Sequence, residues 1–197
     1  MVTEIPKAVV RLYWPATDAR DIQLTRRLRL LSEVFADRLR VEIREKMGGT
    51  YSPNAAPDLS DTYPGYGWMI ADATVAPDQA RTIADAIKAV AASLHDQGVT
   101  DEELVRAKQP VLTQLRESAR TNPYWLGSVL AAAQEYPERL DWSRTRYSDN
   151  ESVTAAELSS LAKQYLDPAQ ASEFIVLPAV SSSSEPAVSP PGEPAAK

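Results

Sequence analysis

The chain has 197 residues, no cysteine, one histidine and a formal net charge of −6, with a pI near 4.9. A chain of that length buries about 70% of its unfolded surface as one domain and needs no disulfide or structural metal to hold its core. With one imidazole and no thiol it cannot supply the ligands of a standard zinc site, and its acidic balance argues against a nucleic-acid binder.

Ala8 to Trp14 is dense in β-formers and stops at Pro15, which predicts a buried central strand. From about Arg20 to Lys46, Leu24, Leu28, Leu31, Phe35, Leu39 and Ile43 recur at spacings of three and four, the apolar stripe of a single helix. At ~1.5 Å per residue that helix is roughly 39 Å long. Its eight arginines and lysines are interrupted by five carboxylates, so the plain expectation is a solvated face of mixed-sign pairs rather than a phosphate patch. Arg44 and Lys46 fall in the last turn, and Gly48-Gly49 supplies the stop. Thr50 to Ala56 follows as a second strand, pushed toward a sheet edge by Pro53 and Pro57. An edge strand can pair with a peptide. The turn formers of Asp58 to Gly65 connect it to a third strand, Tyr66 to Val75.

Pro77 opens a helix whose stripe runs through Ala80, Ile83, Ala84, Ile87, Val90, Ala91 and Leu94 to a stop at Gly98. Thr100 and Glu103 form the signature of a capping box, so another helix starts at once, with Pro110 expected to kink it. Asn122-Pro123 predicts an N-cap and a helix through Trp125, Val129 and Ala132, followed by a loop rich in Pro, Asp and Ser. Thr154 and Glu157 make a second capping box for a helix through Leu158, Leu161 and Tyr165, and Phe174 to Leu177 is the last strand. This order predicts an α+β fold in two layers: a split βαβ, mostly antiparallel sheet of four or more strands, with helices packed on one face. The composition divides the chain into a domain over residues 1–180 and a Ser/Pro-rich tail over 181–197, expected to be disordered. No apolar run reaches the length of a membrane span, and Met1 to Lys7 lacks the pattern of a secretory leader. The expectation is a soluble chain, and it can be a piece of a longer one.

Single residues have plain explanations. A cation at Arg44 gains ~0.3–1 kcal/mol from the helix dipole without any ligand, and Tyr51 is an ordinary strand residue. His95, near a helix end, reads as a dipole partner rather than a metal ligand. Trp14, Trp68, Trp125 and Trp142 read as core, and Asp101, Glu102 and Glu103 as a helix start rather than an acid/base site.

The stretch Leu39-x-x-x-Ile43-Arg44-Glu45-Lys46-Met47-Gly48-Gly49-Thr50-Tyr51-Ser52 resembles the signature of the C-terminal halves of zinc metallopeptidases of the pitrilysin/insulinase family. Segments Gly98 to Leu104 and Thr121 to Leu126 extend the likeness, which covers roughly Ala8 to Pro178. In that family an arginine at a helix end and a tyrosine seven residues on reach the substrate across a clamshell, and Arg44 and Tyr51 occupy those positions. The resemblance implies a substrate-binding domain whose Arg44 and Tyr51 contact a peptide or unfolded polypeptide, with donors aimed at the carbonyl oxygen where negative charge develops. It also implies that zinc, with a His-x-x-Glu-His motif and its base glutamate, sits on another domain or a partner chain. No metal and no complete catalytic set is expected here. The family includes enzymes of the bacterial periplasm. Two other readings stay open: an inactive or structural subunit of the family, and an unrelated α+β binding module.

Overall fold

The computed structural model describes residues 7–47, 52–131 and 133–178, the side chains of 44–47 excepted. Strand β1, Ala8–Pro15, alternates strictly: Ala8, Val10, Leu12 and Trp14 are buried, and the residues between them face the other way. The chain leaves it through a tight corner in which the Ala16 amide donates to the Gly67 carbonyl at 2.8 Å. Only glycine fits at Gly67, because a Cβ there would lie 2.0 Å from the carbonyl oxygen of Thr17. The carboxylate of Asp21 then accepts from the amides of Gln23 and Leu24, at 2.9 and 3.0 Å, and starts helix α1, Ile22–Met47.

The apolar stripe of α1 is buried as its spacing predicts, Leu24 being partly exposed. Leu30, Val34, Thr25, Arg26 and Ser32 are buried too, which a single stripe does not explain. The reason is that α1 packs on β2 and also against all four later helices. Those are α2, Ala80–Gln97, which covers β1, β3 and β4, and α3, Asp101–Ser118, α4, Glu138–Ser152, and α5, Ala155–Tyr165.

The remaining strands are β2, Asn54–Leu59, β3, Gly67–Val75, and β4, Ser172–Val176, in the order β2-β3-β1-β4 with every neighbouring pair antiparallel. This is the expected split βαβ arrangement: β3 fills the gap left by the β1-α1-β2 crossover, and all the helices lie on one side. β2 is an edge strand as anticipated, but it begins and ends later than the predicted Thr50 to Ala56 and takes Asp58 and Leu59 from the predicted turn. Both capping boxes form, at Thr100/Glu103 and Thr154/Glu157.

Two helical expectations fail. Asn122 does not cap: it is already helical, no side-chain cap is made, and Tyr124–Leu130 is π-helical. The predicted loop after it contains α4, a full helix. Its side of the molecule is fixed by polar contacts more than by an apolar stripe. The Arg26 guanidinium donates to the Asp149 carboxylate, to the Thr145 hydroxyl at 3.0 Å and to the Trp142 carbonyl at 2.6 Å.

The mixed-charge face expected on α1 is therefore only partly solvated. Arg26 grips α4. Arg27 reaches Glu157 of α5 at 3.0 Å. Arg38 forks onto Glu103 of α3 at 2.6 and 2.9 Å and donates to the Gly98 carbonyl at 2.6 Å. Three cations of one helix thus each fasten a different later helix.

Candidate functional site

Among the described residues the helices leave the second face of the sheet uncovered, and the registers lay its residues out in cross-strand rows. Asn54, Asp72, Arg11 and Phe174 form one row across β2, β3, β1 and β4. Ala56, Ile70, Tyr13 and Ser172 form the next, and Asp58, Trp68 and Pro15 the one beyond. On the other side of the first row lie Thr74, Val9 and Val176.

Aromatic rings dominate this surface. Tyr13 stands edge-on to Trp68, with centroids 6.0 Å apart, and to Phe174, at 5.6 Å. Tyr66 continues the set against Trp68 at 6.0 Å, and Tyr63 against Tyr66 at 6.3 Å. Between Tyr13, Trp68, Ser172 and Phe174 lies an open groove of about 270 Å³. Phe174 is 57% exposed and Val176 63%, so the apolar surface is presented to solvent rather than consumed by the core. The charged pair in its midst, Arg11 and Asp72, is loose at 3.8 Å.

The sequence expectation that the tryptophans are core holds for Trp14 alone among the first three. Trp14 is 1% exposed and packs on Phe35, whereas Trp68 belongs to the open face and Trp125 is 41% exposed. The alternation in β3 could have shown this. Trp68, Ile70 and Asp72 share one side, and Met69, Ala71 and Ala73 the other, but both sides start apolar.

Arg44 has its backbone in the last turn of α1, while its side chain and the whole of Tyr51 lie outside the described residues. The described chain resumes at Ser52 and enters β2 at Asn54, opposite Asp72. The connection that carries Tyr51 therefore runs from the end of α1 to the edge strand of the sheet, at its Asn54 end. His95 is paired with Asp96, Nδ1 to Oδ1 at 2.7 Å. Among the described residues no group of three or more His, Asp or Glu side chains could hold a metal ion.

A second concavity, about 400 Å³, opens on the helical side between α1, α2 and α3 and is lined by charged residues including Asp37, Arg38, Glu103 and Arg106. Its charges are already committed. Arg106 meets Asp37 at 3.3 Å, and Arg38, followed by the Thr100 amide and hydroxyl, holds the Glu103 carboxyl down to about 2 against the opposing effect of burial.

The profile of the family described as "Peptidase M16 inactive domain" matches residues 1–111, more than half of the chain. The chain belongs to that family. The pitrilysin/insulinase resemblance read from the sequence is thereby shown, and with it the place of the chain as a C-terminal-half domain of a zinc-dependent peptidase family. The "Stromal processing peptidase, chloroplastic" of Pisum sativum is 36% identical over 114 residues, covering 58% of this chain and 9% of that protein. The chain thus spans less than a tenth of the curated relatives it matches. Among solved structures, the peptidase M16 inactive domain from Pseudomonas fluorescens superposes with a TM-score of 0.75 at 18% identity, over 89% of this chain and 42% of that one. A point mutant of the ferredoxin protease FusC, solved in complex with Arabidopsis ferredoxin, gives 0.69 at 14% identity, over 90% of this chain and 19% of the protease. At those identities the likeness is one of fold. Among the described residues no helix is long and apolar enough to cross a membrane.

Proposed function

We propose that this domain is the substrate-binding, zinc-free half of a metalloendopeptidase, and that its open sheet face is a wall against which an extended polypeptide lies. The observation that carries this reading is the open face itself, where half-buried Tyr13 and Trp68 and exposed Phe174 lie together on a sheet that, among the described residues, ends in the edge strands β2 and β4. A sheet edge supplies main-chain donors and acceptors to an extended peptide, and apolar slots take its alternate side chains. Arg44 and Tyr51, at the corner where α1 passes into the edge strand β2, are the residues we assign to the carbonyl groups of the peptide. A guanidinium and a phenol provide fixed donors there, which lower a barrier in which negative charge grows on oxygen.

The zinc chemistry of the family belongs in this reading to another domain of the same polypeptide or to a partner chain. The small share that the chain makes of its relatives supports that division. A peptide or unfolded polypeptide is the substrate class, and the FusC complex with ferredoxin supports a protein-derived one. The bacterial periplasm is one setting for such an enzyme and the chloroplast of the pea relative another.

Photo-crosslinking tests the placement. An unfolded polypeptide carrying benzoylphenylalanine, bound to the zinc-bearing protein that contains this domain, is expected to label β1, β3, β4 and the segment 44–54. Labelling confined to α2, α3 and α4 would refute the placement.

A further inference from the structure

We propose that Phe174, Tyr13, Trp68, Tyr66 and Tyr63 form one track over the open face, and that an extended polypeptide follows it with apolar side chains at alternate positions and a basic residue toward the Tyr63 end. The proposal names the substrate class of the face described above and rests on the reading of that face as the substrate side. Phe174, Tyr66 and Tyr63 are each more than half exposed, and half-buried Tyr13 and Trp68 line, with Phe174, the groove in which the track begins. Exposed apolar surface of this extent marks a binding partner.

The registers set the direction of the track. Phe174 stands opposite Arg11 and Trp68 opposite Pro15, with Tyr13 midway between those two levels on β1. The three rings therefore step across β4, β1 and β3 on a diagonal to the strands. Tyr66 packs on Trp68 from the turn that precedes β3, and Tyr63 on Tyr66 from within that turn, so the line continues past the end of β1. From Phe174 to Tyr63 the neighbouring ring centroids are 5.6, 6.0, 6.0 and 6.3 Å apart. Side chains on one side of an extended chain recur every two residues, ~6.6 Å at ~3.3 Å per residue. Alternate residues of an extended polypeptide therefore come down on successive rings.

Charge gives the track a polarity. Asp58 lies opposite Trp68 on β2, and Asp61 sits in the turn that carries Tyr63 and Tyr66. Among the described residues neither carboxylate is ion-paired. At the other end Arg11 stands beside Phe174, held by Asp72 only at 3.8 Å. A cation over Trp68 or Tyr66 gains from the ring face and from the two carboxylates, and a cation beside Arg11 has no such gain.

Fluorescence anisotropy on the full chain tests the track with labelled synthetic peptides. In the first, three phenylalanines alternate with serine and a lysine closes one end, each end being tried in turn. The second ends in glutamate instead, and the third keeps the composition of the first but spaces its phenylalanines three and four residues apart, as on a helix. The first peptide, in its better orientation, is expected to bind about three- to tenfold more tightly than either of the others. Phe174→Ser and Tyr66→Ser should each weaken it about three- to tenfold without moving the melting temperature. Asp58→Asn combined with Asp61→Asn should abolish the preference for lysine over glutamate. Equal or tighter binding of the helically spaced peptide, binding that neither aromatic variant changes, or a lysine preference that survives the double variant would overturn the proposal. Reduced, carboxamidomethylated pancreatic ribonuclease, as a basic unfolded polypeptide, separates this proposal from the one it rests on. If it binds the native chain and both aromatic variants alike, the track is refuted and the substrate reading stands. If neither it nor any of the peptides binds, both fall.

Discussion

The two faces of the one sheet are built from the same strands by the same alternation, yet one lies under helices and the other does not. On the helical face Leu12, Trp14, Met69 and Ala71 disappear under α1 and α2, and the arginines that rise from α1 beyond them are consumed as fasteners for α3, α4 and α5. On the open face the rings touch each other edge-on and go no further. Large apolar side chains therefore mean stability on one side and, in the proposed reading, recognition on the other, and what separates the two is whether a helix covers them.

The widest separation is expected in stability. Trp14→Ala should cost about 3–5 kcal/mol, because the ring is fully buried against Phe35 and leaves a cavity. Phe174→Ser, on the exposed edge, should cost no more than about 1 kcal/mol. Urea unfolding of both variants measures the contrast directly. Equal losses would mean that the open face is core after all.

Charges should divide the same way. Arg26→Ala leaves Asp149 in a largely buried site without its partner and should destabilise by about 3–5 kcal/mol. Arg11→Ala removes an exposed and loose pair and should change stability by less than about 1 kcal/mol. Circular dichroism melts of the two variants check this, and an Arg11→Ala loss as large as that of Arg26→Ala would contradict the division.

The helical side should also govern the acid limb of stability. Arg38 and the Thr100 cap hold Glu103 at about 2, below its ordinary 4.5, so the folded state binds the proton less readily than the unfolded one. Its contribution is full above pH 4.5 and is lost as the pH falls toward about 2. Glu103→Gln should flatten the stability profile across that window and leave its shape near neutrality unchanged, as urea midpoints at a series of pH values will show. The smallest of these effects is a cap: Thr154→Ala should cost about 1 kcal/mol in melting experiments by freeing the first turn of α5.

Much of the helical face could be read in the sequence, because coverage by a helix imposes a period. The stripe of α1, the run from Ala80 to Leu94 and both capping boxes are local patterns, and the structure realises each of them. α4 left no such trace, since its span Glu138–Ser152 carries little beyond Leu140 and Trp142 that is apolar and is held by Arg26 from another part of the chain. The uses of Arg26, Arg27 and Arg38 were equally hidden: their partners on later elements are 55 to 130 residues away, and a charge on a helix does not announce which later helix it will meet. The open face was missed for the opposite reason. Its tryptophan and phenylalanine look like core residues, and only the register of four strands shows that Trp68, Tyr13 and Phe174 meet where no helix lies. The Arg44 and Tyr51 motif was legible by resemblance alone, and the Arg44 side chain and Tyr51 lie outside the described residues.

The central claim, that this side and its corner serve substrate while the helical side serves the fold, is tested most directly by steady-state kinetics on a fluorogenic peptide. The enzyme is the zinc-bearing protein containing this domain, and the variants are Tyr51→Phe, Phe174→Ser and Arg106→Ala, with melting temperature as the control. Tyr51→Phe should lower kcat by about 10²–10³ as one donor to the developing oxyanion is lost. Phe174→Ser should raise KM by about three- to tenfold, and Arg106→Ala should change neither constant. Full activity in Tyr51→Phe and Phe174→Ser, with both variants as stable as the parent, would contradict the account.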